Sequence, residues 1–271
     1  MRGFLFDLDG TMYTDAGAVP GALEAIGALR SRGIPFRFVT NTTGRPRSKL
    51  VERLRGYGLG LTADDILTPV RAAVVLCQEQ GYHPVAPYVP EATLEDLHGL
   101  DLVAGTSGRA GTQARPGAVI IGDLGDLWTY QLMQEAFGFL LDGAELVALS
   151  RDRYWLKGNR LVLDAGPFVA ALEYASSRTA RVTGKPTKQF YDAAVKSLGL
   201  PPDTSPGDIA MVGDDVWSDV RGAQEAGYQG WLVRTGKFRD EQLSESGVVP
   251  DRVLGSVADL AGDLKSVTGE K

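Results

Sequence analysis

Ten residues near the N-terminus, FLFDLDGTMY (Phe4–Tyr13), set an electrostatic problem. An apolar run, Phe4-Leu5-Phe6, ends in two carboxylates, Asp7 and Asp9, two positions apart. Alternate residues of a strand point to the same face, so the two acids are expected to share one side, about 7 Å apart at the backbone. Like charges at a partly dry strand end repel and solvate poorly unless a cation or a proton joins them. A turn at Asp9-Gly10 would account for the second acid, since both residue types are favoured in turns. It leaves Asp7 unexplained.

Three other segments carry the same kind of residue. In VTNTTG, Thr40 and Asn41 stand just past the apolar run IPFRFV. They read either as caps of the next helix or as an anion clamp at the sheet edge where ligands of α/β proteins gather. In VTGKPTKQFYDAAVKSLG, Pro186 is expected as the first helical residue. Lys185 would then stand at the positive end of a helix dipole, disfavoured by roughly 0.3–1 kcal/mol unless an anion lies nearby. In MVGDDVWSDV, Asp214 and Asp215 follow an apolar run, and Asp219 comes one helical turn after Asp215. A helix N-terminus favours one such acid; three are more than it explains. If these strands share a sheet, Asp7, Asp9 and Asp214 lie at strand ends with Thr40 and Lys185 nearby. Carboxylates, carbonyls and water are the ligand set of Mg²⁺. An aspartate held against Mg²⁺ and a lysine can attack a phosphoryl group.

In this order, the four segments resemble the motifs of the haloacid dehalogenase superfamily over nearly the whole chain. The long stretch between Asn41 and Lys185 resembles the type-two cap of the NagD-like subclass IIA. The resemblance implies an α/β fold, a Rossmann-like core with a parallel sheet and an inserted α/β cap domain. It implies that Asp7 is the nucleophile and a Mg²⁺ ligand. Asp9 would be the general acid/base and offer its backbone carbonyl to the metal. Thr40 and Asn41 would bind the transferring phosphate, and Lys185 would neutralise it together with Asp7. Asp214 would complete the metal site with Asp219 behind it, and Asp215 receives no role. The implied partner is a small phosphorylated substrate, and family members suggest a homodimer through the caps. A phosphatase must protonate its leaving alkoxide and later deprotonate water; a dehalogenase has no such need, so Asp9 favours phosphoryl chemistry. Some animal members carry serine at the position of Asp9, and the full Asp pair here suits ordinary phosphate esters. A different class is a non-catalytic phosphate-ligand binder or interaction protein that retains the fold, against which the intact set of acids and lysine speaks. Phosphonate or carbon–halogen cleavage is a third.

The elements that must hold these residues alternate along the chain, strand-like runs with amphipathic stretches, which reads as a parallel α/β arrangement. Helices are expected at about 20–32, 47–57 and 70–82, and a last one within DRVLGSVADLAGDLK. The middle differs in having fewer acidic strand ends and its own apolar content. We read 1–79 and 180–271 as the catalytic core and 80–179 as the inserted cap. Within the cap, RYWLK and RLVLD are expected to form a hairpin turning at Gly158-Asn159. A helix over 128–141 is expected to bury Tyr130, Phe137 and Phe139. Asp164-Ala165-Gly166 reads as a loop able to face the site, near Arg151 and Tyr154. GTSGRAG (Gly105–Gly111) lacks both the Walker lysine spacing and the dinucleotide fingerprint and reads as a cap loop.

Composition narrows the function class. Of 271 residues, 44% are hydrophobic and 23% charged, with a net charge of -6. That balance argues against a nucleic-acid binder or a membrane-surface protein, both of which need basic patches. No run approaches the ~18 apolar residues of a membrane span, and Asp7, Asp9 and Asp15 interrupt any signal-peptide core. The single cysteine, Cys77, allows no internal disulfide, suits a reducing cytoplasm, and is expected to be buried in a helix. With only His83 and His98, a histidine-rich metal site is unavailable to the chain, and no G-x-S-x-G elbow supports a serine triad.

Overall fold

The computed structural model describes residues 1–103, 115–157, 160–260 and 262. Its first half runs β1 (Gly3–Phe6), a small antiparallel pair β2 (Tyr13–Thr14) and β3 (Gly17–Ala18), α1 (Ala22–Ser31), β4 (Phe36–Val39), α2 (Arg47–Gly56), β5 (Ile66–Leu67), α3 (Pro69–Gln80), β6 (Val85–Tyr88), β7 (Ala118–Ile121) and α4 (Tyr130–Leu141). Then follow β8 (Glu145–Ala148), β9 (Tyr154–Lys157), β10 (Arg160–Leu163), α5 (Ala165–Ser176), β11 (Arg181–Val182), α6 (Lys188–Lys196), β12 (Ile209–Gly213), α7 (Gly222–Ala226), β13 (Gln229–Val233), α8 (Asp240–Ser246) and β14 (Arg252–Leu254). They divide into two compact units. One comprises 1–40, 51–67 and 185–271; the other comprises 41–50 and 68–184.

The first unit is built on a six-stranded sheet ordered β14-β13-β12-β1-β4-β5, with every pairing parallel. A parallel sheet is covered on both faces, so its strands read as continuous apolar runs; all four residues of β1 and all five of β12 are buried. Aromatic rings pack along it. Phe6 lies 5.8 Å from Phe4 and 6.3 Å from Phe38, and Trp231 meets Phe4 edge-on at 5.5 Å. After β1 the chain goes to β4 on one side and later to β12 on the other. The strand order therefore reverses at β1, and ligands of open α/β sheets bind at the carboxyl end of such a point.

The second unit has its own parallel sheet, β11-β8-β7-β6. Its residues alternate strictly. Val85, Ala118, Ile120 and Val147 pack with Val70, Ala73, Val74 and Cys77 of α3. Ala86, Val119, Ile121 and Leu146 pack with Ala136 and Leu140 of α4 and Val169 and Leu172 of α5. Residues 68–79, expected with the core, cluster here because α3 covers a sheet face that would otherwise be bare. Cys77 is fully buried in that layer, as anticipated.

Other expectations are corrected. The last helix is not formed over 251–259: Arg252–Leu254 adds a parallel edge strand to β13, and Gly255 and Ser256 lead into a single turn at Val257–Asp259. Pro186 does not open a helix, because α6 starts at Lys188 behind Thr187. Tyr130 is 78% exposed, whereas Phe137 and Phe139 do pack on the core of the unit. Asp164 does not sit in an open loop; its carboxylate accepts from Ala165 N–H at 2.6 Å and caps α5. β9 and β10 pair antiparallel as expected, while Gly158-Asn159 and the Gly105–Gly111 segment lie outside the described residues. No helix among the described residues is long and apolar enough to cross a membrane.

The β1 core makes a stability prediction. Phe6→Ala removes a fully buried ring that has three aromatic neighbours, Phe4, Phe36 and Phe38. It should cost about 3–5 kcal/mol, read as a lowered urea midpoint; a loss below about 1 kcal/mol would contradict this packing.

Candidate active site

The site is assembled at the carboxyl edge of β1 and β12. Phe6 pairs with Val212 across the two strands, and Asp7 N–H still donates to Val212 O at 2.9 Å. That last ladder bond fixes Asp7 at the sheet edge with only 7% of its surface exposed. Asp214 follows directly after β12 and is buried; Asp219, in the π-helical turn Val216–Arg221, is fully buried. Lys185, 3% exposed, joins two of these acids. Its Nζ donates to Asp7 Oδ1 at 2.5 Å and to Asp219 Oδ1 at 2.7 Å. Asp214 Oδ2 accepts from Lys237 N–H at 2.6 Å, and Asp219 Oδ2 accepts from Asp215 N–H at 3.1 Å.

Bare backbone makes the crowding possible. A Cβ on Gly213 would stand 2.1 Å from Asp219 Oδ2. On Gly10 (φ +88) or Gly236 (φ +59) it would stand 2.0 Å from Asp214 Oδ2. Gly10 thus serves a turn and a close approach at once.

Asp7, Asp214 and Asp219 each offer a carboxylate oxygen within 4.8 Å of the others. Three carboxylates are buried together and two of them share one buried ammonium, and the titration behaviour reflects it. Burial holds Asp7 well above the ordinary carboxylate range, against the pull of Lys185. Burial likewise raises Asp219, and burial with the charge of Asp219 pushes Asp214 up to about 7. For Lys185, burial disfavours the charge, but Asp219 and Asp7 outweigh it and raise the ammonium above its usual range. Asp215 ends low: burial works the other way and is outweighed by Lys237 and by the Ser218 and Trp217 N–H groups it accepts from. A divalent cation would relieve the repulsion, and an all-oxygen donor set suits a hard ion. The residues fit such an ion.

Asp9 lies beyond the strand, in the turn that follows it. The strand ends at Phe6, and Leu8 O accepts from the N–H groups of Met12 and Tyr13, so strand periodicity no longer applies. Asp7 is buried and Asp9 exposed, and the Asp9 carboxylate accepts from the Tyr13 hydroxyl at 3.1 Å. Burial, with the neighbouring Asp9, drives that hydroxyl above its ordinary range. Thr40 is buried at the end of β4, its N–H on Leu67 O at 3.3 Å. Asn41, the next residue, belongs to the second unit, where its Nδ2 donates to Asp152 Oδ2 at 3.3 Å. Asp215 caps the turn that carries Asp219. Sequence reasoning missed the loop after β13: Thr235 Oγ1 donates to Gly10 O at 2.5 Å, beside Gly236 and Lys237. A Thr-Gly pair directly past an apolar strand at the same edge was the available signal.

A family model described as haloacid dehalogenase-like hydrolase matches residues 4–103, and a second, HAD-hydrolase-like, matches 182–260. The chain is 39% identical over 239 residues to haloacid dehalogenase-like hydrolase domain-containing protein 2 of Bos taurus, covering 88% of this chain and 86% of that protein. It is 32% identical over 266 residues to the phospholysine phosphohistidine inorganic pyrophosphate phosphatase of Homo sapiens, covering 96% and 92%. Among solved structures, a 4-nitrophenylphosphatase from Thermotoga maritima superposes with a TM-score of 0.85 at 26% identity, covering 97% of each chain. NagD from E. coli shares the fold, with a TM-score of 0.82 at 22% identity over 96% of this chain and 98% of its own. The chain belongs to the haloacid dehalogenase-like hydrolase family and has a NagD-like fold.

The buried acids predict a pH dependence. Asp214 binds its proton more tightly folded than unfolded, at about 7 against 3.8. Its contribution therefore falls as pH rises from about 4 to about 7, by on the order of 4 kcal/mol. In EDTA, Asp214→Asn should flatten that part of the stability–pH curve measured by urea denaturation. An unchanged slope would contradict the assigned environment.

Proposed function

We propose that this chain is a Mg²⁺-dependent phosphatase that hydrolyses a small phosphate ester or pyrophosphate through an aspartyl-phosphate on Asp7. The observation that carries the reading is the buried Lys185 ammonium spanning Asp7 and Asp219, with Asp214 alongside. The phosphatase names of two relatives support the reaction class.

Lys185 holds Asp7 Oδ1 and orients the carboxylate, so Oδ2 is the oxygen that attacks phosphorus. The same ammonium offsets charge on the transferring phosphoryl group. Asp9, exposed two residues on, gives a proton to the leaving oxygen as its bond to phosphorus breaks. It then takes a proton from the water that attacks the aspartyl-phosphate and frees Asp7. Thr40, and Asn41 next to it in the chain, supply donors to the phosphoryl oxygens. Asp7, Asp214 and the Asp9 backbone carbonyl are the proposed Mg²⁺ ligands, with Asp219 available beside them; the bound ion supplies charge neutralisation at the phosphoryl oxygens.

Purified protein should hydrolyse p-nitrophenyl phosphate with Mg²⁺ and lose that activity in EDTA. Asp7→Asn should lower kcat by more than about a thousandfold, because loss of a nucleophile leaves only binding and electrostatics. An Asp7→Asn variant as active as the parent would refute the reading.

A further inference from the structure

The turn after β1 carries a side-chain network that the mechanism above does not use. Leu8 O accepts N–H groups from Thr11 at 3.3 Å, Met12 at 2.9 Å and Tyr13 at 3.2 Å, and Gly10 N–H donates to Tyr13 O at 2.7 Å. The chain doubles back within six residues and returns Tyr13 to the side of Asp9. The Tyr13 side chain is fully buried, yet its hydroxyl donates to the exposed Asp9 at Oδ2, 3.1 Å away. The ring is clamped in turn. The Arg53 guanidinium stands 4.0 Å from its centroid, a cation–π contact. Arg53 is itself held, donating from Nη2 to Thr14 O at 3.2 Å and from Nε to the Tyr57 hydroxyl at 3.2 Å.

A buried tyrosine hydroxyl needs a partner, and a backbone carbonyl would serve for packing alone. Here the partner is a carboxylate on the surface, two residues from Asp7. An exposed aspartate otherwise samples several rotamers, and an error of about 1 Å in a reacting group can cost roughly a hundredfold in rate. A rigid donor on one oxygen selects one rotamer.

We propose that Tyr13 is a positioning residue for Asp9: its hydroxyl holds Oδ2 and sets the rotamer in which the carboxylate transfers its proton, and Arg53 fixes the Tyr13 ring. The inference rests on Asp9 acting as the acid/base. The Asp9 proton passes to the leaving oxygen as that oxygen's bond to phosphorus breaks and the Asp7–phosphorus bond forms. Asp9 recovers a proton from water as the water oxygen bonds to phosphorus and the bond to Asp7 breaks. Tyr13 neither gains nor loses a proton.

The test is leaving-group dependence with saturating Mg²⁺, using substituted phenyl phosphates from p-nitrophenyl to p-methoxyphenyl. Proton donation matters most for the poorer leaving group. Tyr13→Phe removes one oxygen and keeps the ring. Its kcat/KM should fall about tenfold on p-methoxyphenyl phosphate and stay within about twofold of the parent on p-nitrophenyl phosphate, with the KM values little changed. A uniform loss across the series, as a packing defect would give, or no loss, overturns the inference. Asp9→Asn in the same series separates the two levels of the argument. A graded loss there beside a uniform one in Tyr13→Phe sinks the role of Tyr13 alone; a uniform result in Asp9→Asn sinks Asp9 as the acid, and Tyr13 with it. Should Tyr13→Phe fail to fold, Arg53→Met must show the same graded pattern, and a uniform loss overturns the proposal.

Discussion

Three carboxylates buried around one ammonium form the constraint on which the rest of this structure depends. Taking each charge out of water costs several kcal/mol, and a single lysine offsets only part of that. The arrangement persists because the surrounding fold determines it from several directions. The β1–β12 pairing delivers Asp7 and Asp214 to one edge, the π-helical turn brings Asp219 under Lys185, and backbone N–H groups of Asp215 and Lys237 neutralise further lone pairs. Strain of this kind gathers where chemistry needs it. The raised acids are the residues a divalent cation would relieve.

Glycines set how close these charges stand. Gly213 lets Asp219 reach the end of β12, while Gly10 and Gly236 frame Asp214. A methyl group at any of them would meet a carboxylate oxygen before any other atom. The turn at Asp9-Gly10 has a second consequence, in that it separates the two acids of the first segment into different environments. Asp7 enters the buried cluster, and Asp9 stays at the surface against Tyr13. Acids in unlike surroundings can take unlike roles, one as a nucleophile and one as a proton carrier.

Much of this was legible from residue order alone. The parallel α/β arrangement followed from alternating apolar runs, and Asp7, Lys185 and Asp214 stood out because no turn or cap explained them. What escaped was three-dimensional closeness between distant segments. Asp219 bonds Lys185 directly, although the family resemblance implied only a place behind the ligands. The Thr235–Lys237 loop reads as an ordinary strand end until β13 lies beside β12. Period-2 spacing does not reach Asp9, since the strand ends at Phe6, and the dipole argument for Lys185 failed because α6 begins three residues later. Its premise survived: Lys185 did need an anion, and it has two. Residues 252–254 read as helical from their spacing, but an open sheet edge recruited them.

The most direct test is covalent. Protein mixed with p-nitrophenyl phosphate and Mg²⁺, quenched within one turnover and reduced with borohydride, should yield a peptide in which the side chain at position 7 has become that of homoserine, the mark of an acyl phosphate there. Turnover with an unaltered carboxylate at position 7, or the mark on any other residue, would contradict the account.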